Sequence, residues 1–321
     1  MIFKISDDDI LELNQLEEIQ LEEEGEDSSK YICLFTGEDS LEALETFGFS
    51  PSPMDEAYDS ATMIFESHDR FDFLSINLPV MQTNLYGSEK VIIYHSKGSL
   101  IFHANQEASF NEIYNIIFTL KSKYQSQKEL YDSTHLMNRI LYSFLEKMTI
   151  FNMDLMDEFE IKVYELETSL IESVNSDYVE DIIMLRKDLF GLKKHYQQLL
   201  DIMDELQENE NQFMDEKTLK LLKIFDSKVS RHYNHILSLR DYVTQIREAY
   251  QAQLDIEQNQ IMKIFTVITA IFLPLTLMVG WYGMNLQMPE FQLPYTYPIV
   301  IVASFLIVIL CIIYFKRKNW I

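Results

Sequence analysis

The sequence is poor in the residues on which several protein classes depend. Its 321 residues include only two cysteines, Cys33 and Cys311, which excludes a disulfide framework and a cysteine-based metal site. Eight glycines and seven prolines are few for a turn-rich all-β fold and favour long helices. Residues 1–10 have no apolar core, so we expect no signal peptide. Neither a nucleophile–base pattern nor a phosphate-binding loop occurs, so we do not expect an enzyme.

Basic residues are also scarce. Lys and Arg number 26 against 51 Asp and Glu, which gives a formal net charge of −25. A polyanion gains nothing from releasing the counterions of a phosphate backbone, so we expect no nucleic-acid partner. Hydrophobic residues make up 47% of the chain, which is too many for an acidic disordered protein.

The charge is distributed unevenly. From residue 260 onward the only charged residues are Lys263, Glu290, Lys316, Arg317 and Lys318. The preceding residues hold 22 basic and 50 acidic side chains, a net charge of −28. The sequence therefore predicts an acidic body and a nearly uncharged tail. Acidic runs at 7–9 and 22–24 indicate either a surface that attracts cations or a solvated, mobile arm over residues 1–32.

Two apolar runs dominate the tail. Residues 264–282 and 299–315 are uncharged over 19 and 17 residues, close to the roughly 20 that a helix needs to cross a bilayer. Aromatic residues cluster near the ends of the runs, as expected at a membrane–water interface: Trp281, Tyr282, Tyr295, Tyr297, Tyr314 and Trp320. The tail therefore predicts two transmembrane helices.

The basic residues beside these runs predict their orientation. Lys263 precedes the first run and Lys316, Arg317 and Lys318 follow the second, whereas residues 283–296 contain neither Lys nor Arg. The positive-inside rule then places both ends of the chain in the cytoplasm. We expect a multi-pass protein of the cytoplasmic (inner) membrane, in contact with membrane lipid, whose N- and C-termini are cytoplasmic.

The acidic body changes its pattern along the chain. Runs rich in β-branched and aromatic residues predict strands at 31–35, 61–66, 71–78, 91–95 and 100–103. Pro51 and Pro53 break the chain between the first two, and segments 40–46 and 110–122 have a helical pattern. We expect an α+β domain with a small mixed sheet. From about residue 130 the pattern is helical, with one polar break at 207–211, and residues 215–282 can form a single helix of roughly 100 Å.

One face of the first apolar run carries small, hydroxyl-bearing and amide side chains. Positions three and four residues apart share this face: Asn259, Met262, Thr266, Thr269, Leu273, Thr276 and Gly280. Such a stripe is typical of close helix packing in membranes, or of a pore that symmetric copies line. Toward the N-terminus the same register becomes polar and includes Glu248 and Asp255, while the complementary register is apolar. This continuity favours a pore with carboxylate rings at a cation entrance.

The segment Tyr282-Gly283-Met284-Asn285 closes the first apolar run. Glycine permits a close approach of the backbone, and Asn285 offers a carbonyl acceptor. Mg²⁺ is a hard cation that gives up its water reluctantly, so neutral oxygens that contact those waters suit it.

The tail closely resembles the CorA family of magnesium channels. About 65 residues carry the resemblance, in the segments 256–274, Gly-Met-Asn at 283–285, Met-Pro-Glu at 288–290 and Tyr-Phe-Lys-Arg-Lys-Asn-Trp at 314–320. The resemblance implies a funnel-shaped homopentamer in which the long helix continues into the first membrane span. It further implies passive Mg²⁺ influx, with Co²⁺ and Ni²⁺ as other substrates, gating by intracellular Mg²⁺ and no organic cofactor.

The resemblance also implies roles for single residues. The family's outer selectivity site falls on Gly283, Met284 and Asn285. Its pore constrictions fall on four positions of the stripe: Asn259, Met262, Leu273 and Thr276. Leu273 stands where many members have methionine, and the loop that leads to Glu290 is one residue shorter than in familiar members. By layout, Asp55 and Glu56 take the place of an acidic pair that would bind regulatory Mg²⁺ between protomers.

These patterns divide the chain into six parts. They are an acidic α/β domain (1–130), a helical hairpin (131–212), a stalk helix continuing into transmembrane helix 1 (213–282), an outer loop (283–296), transmembrane helix 2 (297–315) and a basic tail (316–321).

Two alternative functions stay open. One is a transporter of zinc or another divalent cation on the same scaffold, although such relatives often vary the residue at Met284. The other is a membrane-anchored coiled-coil scaffold without transport.

Overall fold

The computed structural model describes residues 1–5, 10–13, 15–19, 29–37, 39–78, 89–126, 133–172, 178–285, 289–292, 294–318 and 320. The chain divides into two compact units, Met1–Thr244 and Gln245–Ile321, and each is described by itself. The acidic runs at 7–9 and 22–24 lie outside the described residues.

Within the described residues, the first unit contains a seven-stranded mixed sheet. Its strands are β1 (Ile2–Ile5), β2 (Ile10–Leu13), β3 (Lys30–Phe35), β4 (Ile64–His68), β5 (Phe71–Leu78), β6 (Glu89–His95) and β7 (Ser99–Ala104). Their spatial order is β2-β1-β3-β7-β6-β5-β4, in which β3 and β7 are parallel and the other neighbours antiparallel. The predicted mixed sheet is confirmed.

The predicted strands agree with the observed strands, except that β4 begins later than predicted. β5 covers the predicted residues 71–78, and β3, β6 and β7 begin or end within about two residues of the prediction. β4 begins at Ile64 rather than residue 61, because Ser60 and Thr62 form a turn. The Ser60 and Thr62 hydroxyls lie 2.7 Å apart, and the Thr62 N–H donates to Ser60 Oγ at 3.1 Å.

The expectation of a solvated arm at the start of the chain is wrong for residues 2–5 and 10–13. Ile2 of β1 pairs with Cys33 of β3, and Ile10 of β2 pairs with Ile5. Phe3 and Ile5 are buried. Four-residue strands are too short to show alternation, and the pairing of β1 with β3 joins segments far apart in sequence, so local patterns miss it.

The two prolines begin a helix instead of only breaking the chain. Helix α1 (Asp39–Phe47) is followed by α2 (Ser52–Asp59), which has Pro51 as its N-cap and Pro53 in its first turn. Proline is tolerated there because the first N–H groups of a helix have no partner within it. Together α1 and α2 cover an apolar cluster on one face of the sheet, in which the Phe49 and Phe71 ring centroids are 4.9 Å apart.

Four helices follow the sheet in the sequence: α3 (Glu107–Ser126), α4 (Ser133–Glu172), α5 (Val179–Glu208) and α6 (Glu216–Tyr282). Helices α3 and α4 both contact β3 and β7. The predicted break at 207–211 is confirmed, since Asn209 leaves α5 in a left-handed conformation with φ 49°. The 67 residues of α6 confirm the long helix. Its buried residues in the first unit follow the predicted apolar register: Leu222, Phe225, Val229, Ile236, Leu239 and Val243.

The second unit contains the C-terminal part of α6, a 3-10 turn at Pro289–Gln292 and α7 (Thr296–Arg317). Both helices are long and apolar enough to cross a membrane, and only 6% of each apolar window is buried. Helices this apolar and this exposed do not behave as the core of a soluble protein. The predicted fold class, an α+β domain followed by two apolar C-terminal helices, is confirmed.

Candidate functional site

The predicted stripe lies on an exposed face of α6. In the second unit, the more buried residues of α6 recur three and four positions apart: Val267, Ala270, Ile271, Pro274, Leu275 and Met278. The Cys311 Sγ of α7 lies 3.9 Å from the Ala270 carbonyl oxygen on this face. At about 100° per residue the stripe falls on the opposite side of the helix. All seven of its residues are exposed: Asn259, Met262, Thr266, Thr269, Leu273, Thr276 and Gly280.

The three stripe threonines use their hydroxyl protons within the helix. Thr266, Thr269 and Thr276 each donate to the carbonyl oxygen four residues earlier, at 2.8 Å. A hydroxyl group has one proton and two acceptor lone pairs. With the proton engaged, each exposed Oγ1 presents only acceptor capacity. The face therefore suits groups that donate hydrogen bonds, such as the waters around a cation.

The exposed face ends in a shallow groove. Its lining residues are Leu273, Thr276, Leu277, Gly280, Trp281 and Met284. Sequence reasoning assigned Trp281 to the membrane interface and did not single out Leu277 at all. A spacing of four and three residues could have placed Leu277 and Trp281 beside the stripe, because it links Leu273, Leu277, Trp281 and Met284 along one face of the helix.

Gly283 ends α6 in a position that has no room for a side chain. Its N–H donates to the Val279 carbonyl oxygen at 2.8 Å. A Cβ built on Gly283 would lie 2.8 Å from that same backbone oxygen. A backbone carbonyl at a helix end cannot rotate away as a flexible side chain can, so this turn requires glycine.

Met284 and Asn285 follow this turn and are exposed. The Met284 N–H lies 3.4 Å from the Trp281 carbonyl oxygen. Within the part of the chain that the structure describes, no hydrogen bond engages the side-chain amide of Asn285. Its carbonyl oxygen is therefore available to a ligand at the end of α6.

The predicted acidic residues of the second unit are also exposed. Glu248 and Asp255 lie two turns apart on one face of α6, and neither forms an ion pair among the described residues. Glu290 lies in the 3-10 turn, where its backbone carbonyl accepts a hydrogen bond from Thr296 Oγ1 at 2.5 Å. That contact joins the turn to the start of α7.

Asp55 and Glu56 lie in the first unit, side by side on the exposed face of α2. The ammonium group of Lys90 fixes the end of this helix by donating to the carbonyl oxygens of Ala57 and of Ser60, the latter at 2.6 Å. Burial lowers the pKa of Lys90. Among the described residues, no three His, Cys, Asp or Glu side chains gather as metal ligands. One chain thus offers a pair of carboxylates here and not a closed site.

Comparison with known proteins identifies the family to which the chain is similar. A model of the family described as CorA-like Mg²⁺ transporter protein matches residues 31–317. The chain is 25% identical over 182 residues to the cobalt/magnesium transport protein CorA of Thermotoga maritima, covering 56% of this chain and 52% of that protein. It is 27% identical over 239 residues to the magnesium transport protein CorA of Campylobacter jejuni, covering 72% and 69%.

A solved structure shares the fold. The CorA magnesium transporter of Methanocaldococcus jannaschii superposes with a TM-score of 0.77 at 20% identity, covering 100% of this chain and 98% of that one. In sequence, by contrast, the chain spans only about half the length of the Thermotoga relative. Because the family match extends over most of its residues, the chain belongs to the CorA-like Mg²⁺ transporter family.

Proposed function

We propose that this protein conducts Mg²⁺ passively into the cell as a homopentamer, through a pore lined by the exposed stripe of α6. The observation that carries the proposal is the placement of that stripe. It lies on the exposed side of α6, away from more buried positions such as Ile271 and Leu275, and it runs from Asn259 to Gly280, just before Gly283, Met284 and Asn285. Five such helices around one axis would surround a path with acceptor groups.

The chemistry of the stripe suits a hydrated divalent cation. The waters around Mg²⁺ point their hydrogens outward, and the proton-engaged oxygens of Thr266, Thr269 and Thr276 can accept from them. Mg²⁺ dehydrates reluctantly, so a path that contacts its waters costs less than one that strips them. Met262 and Leu273 would form the apolar constrictions, where a narrow hydrophobic ring can stop conduction by losing water.

Two further sets of residues complete the proposed path. Gly283, Met284 and Asn285 form the outer selectivity site, with five Asn285 carbonyl oxygens contacting the waters of the entering ion. Glu248 and Asp255 form carboxylate rings that concentrate cations at the inner end. Glu290, exposed in the outer turn, attracts cations to the entrance.

The location and regulation follow the same proposal. The protein lies in the cytoplasmic membrane, in contact with lipid along α6 and α7, with both termini in the cytoplasm as the basic residues beside each run predict. Co²⁺ and Ni²⁺ share the pathway. Asp55 and Glu56 bind regulatory Mg²⁺ between neighbouring copies, since among the described residues no set of three metal-ligating side chains gathers there. When internal Mg²⁺ falls, repulsion between unpaired carboxylates favours the conducting state.

The test is ion flux into liposomes that contain the purified protein. We expect Mg²⁺ uptake along its gradient, and we expect Asn285→Ala to lower it by at least about tenfold, the effect of roughly 1.4 kcal/mol. Asn115→Ala is the matched control, because Asn115 is an exposed asparagine on α3, outside the proposed path. Unchanged uptake with Asn285→Ala would refute the role of this residue.

The same assay separates the alternatives. Parallel uptake of Mg²⁺, Co²⁺, Ni²⁺ and Zn²⁺ ranks the substrates, and a preference for Zn²⁺ would favour the related divalent-cation transporter. Absence of flux for every ion, in a preparation shown to be pentameric, would favour a scaffold without transport. Met284 argues for magnesium, because the signature methionine often varies among zinc transporters on this scaffold.

A further inference from the structure

Basic side chains gather at one end of the hairpin that α6 and α7 form, and the proposed path uses none of them. We call them the inner basic group: Lys263, Lys316, Arg317 and Lys318. The first belongs to α6 and the other three to the end of α7. All four lie in the second unit of the chain, so their arrangement can be described within that unit.

The contact between the two helices places this group at one level. Cys311 Sγ of α7 lies 3.9 Å from the Ala270 carbonyl oxygen of α6. Lys263 comes two turns before Ala270, about 10 Å along α6, on nearly the same face. Arg317 comes about 9 Å after Cys311 along α7. Because the helices of a hairpin run antiparallel, both displacements lead to the same end, and Lys263 is exposed where α7 stops.

The four cations have no countercharge in their surroundings. All are exposed, and within the described part of the chain none of them forms an ion pair. After Glu257 the only acidic side chain in the sequence is Glu290, in the turn at the other end of the hairpin. Glu257 itself lies about 9 Å before Lys263 along α6, on another face. The group therefore presents positive charge of one sign.

The dipole of α7 does not account for the whole group. Cations are favourable in the last turn of a helix, which explains Lys316 and Arg317. Lys263 lies in the interior of α6, where the effect of a helix end is absent, and yet it reaches the same level. The common feature of the four residues is thus their position and not the end of one helix.

The last residues turn back and keep the charges in this layer. The Lys318 N–H donates to the Tyr314 carbonyl oxygen at 3.2 Å, and the Trp320 N–H donates to that of Phe315 at 3.1 Å. The Trp320 and Phe315 ring centroids lie 5.7 Å apart, and Lys318 Nζ lies 5.4 Å from the Tyr314 centroid. Aromatic rings beside basic side chains are typical of the level of lipid headgroups.

The surface next to the group indicates what kind of anion it binds. Ile264 on α6 and Ile313 on α7 are exposed large apolar side chains within one turn of these cations. A free phosphate ion would neutralise the charges but leave this apolar surface in water. A phospholipid brings a phosphate group and hydrocarbon chains together, and therefore covers both.

We propose that the inner basic group binds the phosphate groups of anionic phospholipids at the cytoplasmic end of the hairpin. Arg317 can engage two phosphate oxygens at once with its planar guanidinium group, and the lysines act as point charges. Zwitterionic lipids also carry a phosphate, but their ammonium group cancels its charge, so anionic lipids are preferred. The inference rests on the proposed function only for the placement of α6 and α7 in the cytoplasmic membrane.

The test uses the two tryptophans of the chain, which lie at opposite ends of the hairpin. Trp281→Phe leaves Trp320 as the reporter, and Trp320→Phe leaves Trp281. Each full-length variant is placed in phosphatidylcholine bilayers with increasing phosphatidylglycerol that carries bromine near its headgroup, since bromine quenches a neighbouring tryptophan. Both leaflets have the same composition, so the direction of insertion does not matter. We expect phosphatidylglycerol to be preferred at least about fivefold at Trp320, roughly the effect of one basic residue near an anionic surface, and not at Trp281.

Substitutions then assign the preference to the group. With Trp320 as the reporter, Lys263→Gln should lower the preference by about two- to fivefold. This substitution keeps the three basic residues at the end of α7, which also set the orientation of the helices. Lys316→Gln/Arg317→Gln/Lys318→Gln should remove the preference. Lys223→Gln is the matched control, because Lys223 is an exposed lysine on the part of α6 that lies in the first unit, and should leave it unchanged.

Three outcomes would overturn the inference. They are equal quenching of Trp320 by the two lipids, a preference at Trp281 as strong as at Trp320, and a preference at Trp320 that survives both sets of glutamine substitutions. The first two comparisons leave the inner basic group intact and therefore do not depend on the folding of its variants. Lipid contact is measured without transport, so a failure here leaves the uptake assay of the proposed function unaffected, and the reverse is equally true.

Discussion

Gly283 donates its N–H to the Val279 carbonyl oxygen at 2.8 Å, and a Cβ on Gly283 would lie 2.8 Å from the same atom. One short contact thus both ends α6 and excludes every side chain from this position. The residues that follow, Met284 and Asn285, are presented by a turn that only glycine can make without displacing the helix end. The glycine of the signature is therefore needed for backbone geometry.

Gly283→Ala should disrupt this turn. We expect Mg²⁺ uptake to fall by at least about tenfold, because a shift of the helix end displaces Asn285 from the proposed ring. Gly98→Ala is the control, since a Cβ there meets nothing within 4 Å. Equal uptake by Gly283→Ala and wild type, at equal amounts of protein in the membrane, would contradict this account of the signature.

Thr269→Val and Thr276→Val should reduce uptake while leaving the helix intact. Valine has nearly the shape of threonine but lacks the hydroxyl group, so each substitution removes the exposed acceptor oxygen together with its hydrogen bond to the helix carbonyl. We expect a several-fold reduction of uptake for each substitution. Thr244→Val is the control for losing the hydrogen bond within the helix, because Thr244 makes the same bond to the Arg240 carbonyl oxygen, at 2.9 Å, outside the stripe. If all three variants transport like wild type, the stripe threonines do not contact the ion's waters.

Asp55→Asn/Glu56→Gln should weaken inhibition by internal Mg²⁺. Without the Asp55 and Glu56 carboxylates, the proposed interface would lose its regulatory Mg²⁺, and with it the stabilisation that this ion gives to the closed state. Uptake is measured into liposomes preloaded with low or high Mg²⁺. Glu42→Gln/Glu45→Gln is the matched pair, exposed on the neighbouring helix α1. A double variant at 55 and 56 that is still inhibited as strongly as wild type would locate the sensor elsewhere.

Asp215→Ala should destabilise the start of α6. Burial alone would raise the pKa of Asp215, but hydrogen bonds from Thr218, His135 and Asn138 lower it below its ordinary value. A carboxylate with a lowered pKa stabilises the folded state above its ordinary pKa, and this stabilisation is lost as the pH falls through the lowered value. We expect a loss of about 1–2 kcal/mol near pH 7, the range measured for helix caps.

The measurement for this prediction is thermal unfolding across the acid range. Asp215→Ala and wild type should begin to converge in stability as the pH falls below about 4, the ordinary pKa of an aspartate. Convergence is complete only once the pH has fallen through the lowered pKa of Asp215, where the folded carboxylate is protonated. Glu216→Ala, one residue later and exposed, controls for the change in charge at the start of the helix. A difference between Asp215→Ala and wild type that does not shrink in acid would show that the charge of Asp215 contributes nothing.

Local patterns predicted the long helix and most of the central strands well. The apolar register of α6 contains Leu222, Phe225 and Val229, which are completely buried, and the polar break at 207–211 lies where Asn209 ends α5. Periodicity and turn residues act over a few positions and therefore can be read along the chain. The seven residues of the stripe share an exposed face for the same reason.

Other features depended on partners that local patterns cannot supply. β1 is a strand because Ile2 meets Cys33, and α2 forms at two prolines because Met54 and Ala57 find a core to enter. The order of the predicted segments suggested a regulatory role for Asp55 and Glu56. That both lie on an exposed face of α2 follows only from the packing of Met54 and Ala57 into the core.

The sequence by itself determined that two apolar helices follow an acidic α+β body, and that one of them carries a stripe of small and hydroxyl-bearing residues before Gly283. These properties depend on side chains three or four positions apart, which one helix turn brings together. Only the tertiary structure decided that Asp72 and Asn211, 139 positions apart, lie 2.7 Å from each other, and that His95 is enclosed between them and Asn138. The partners of a buried polar group come from whichever segments the sheet and helices bring together, because burial requires a hydrogen bond and does not specify its source.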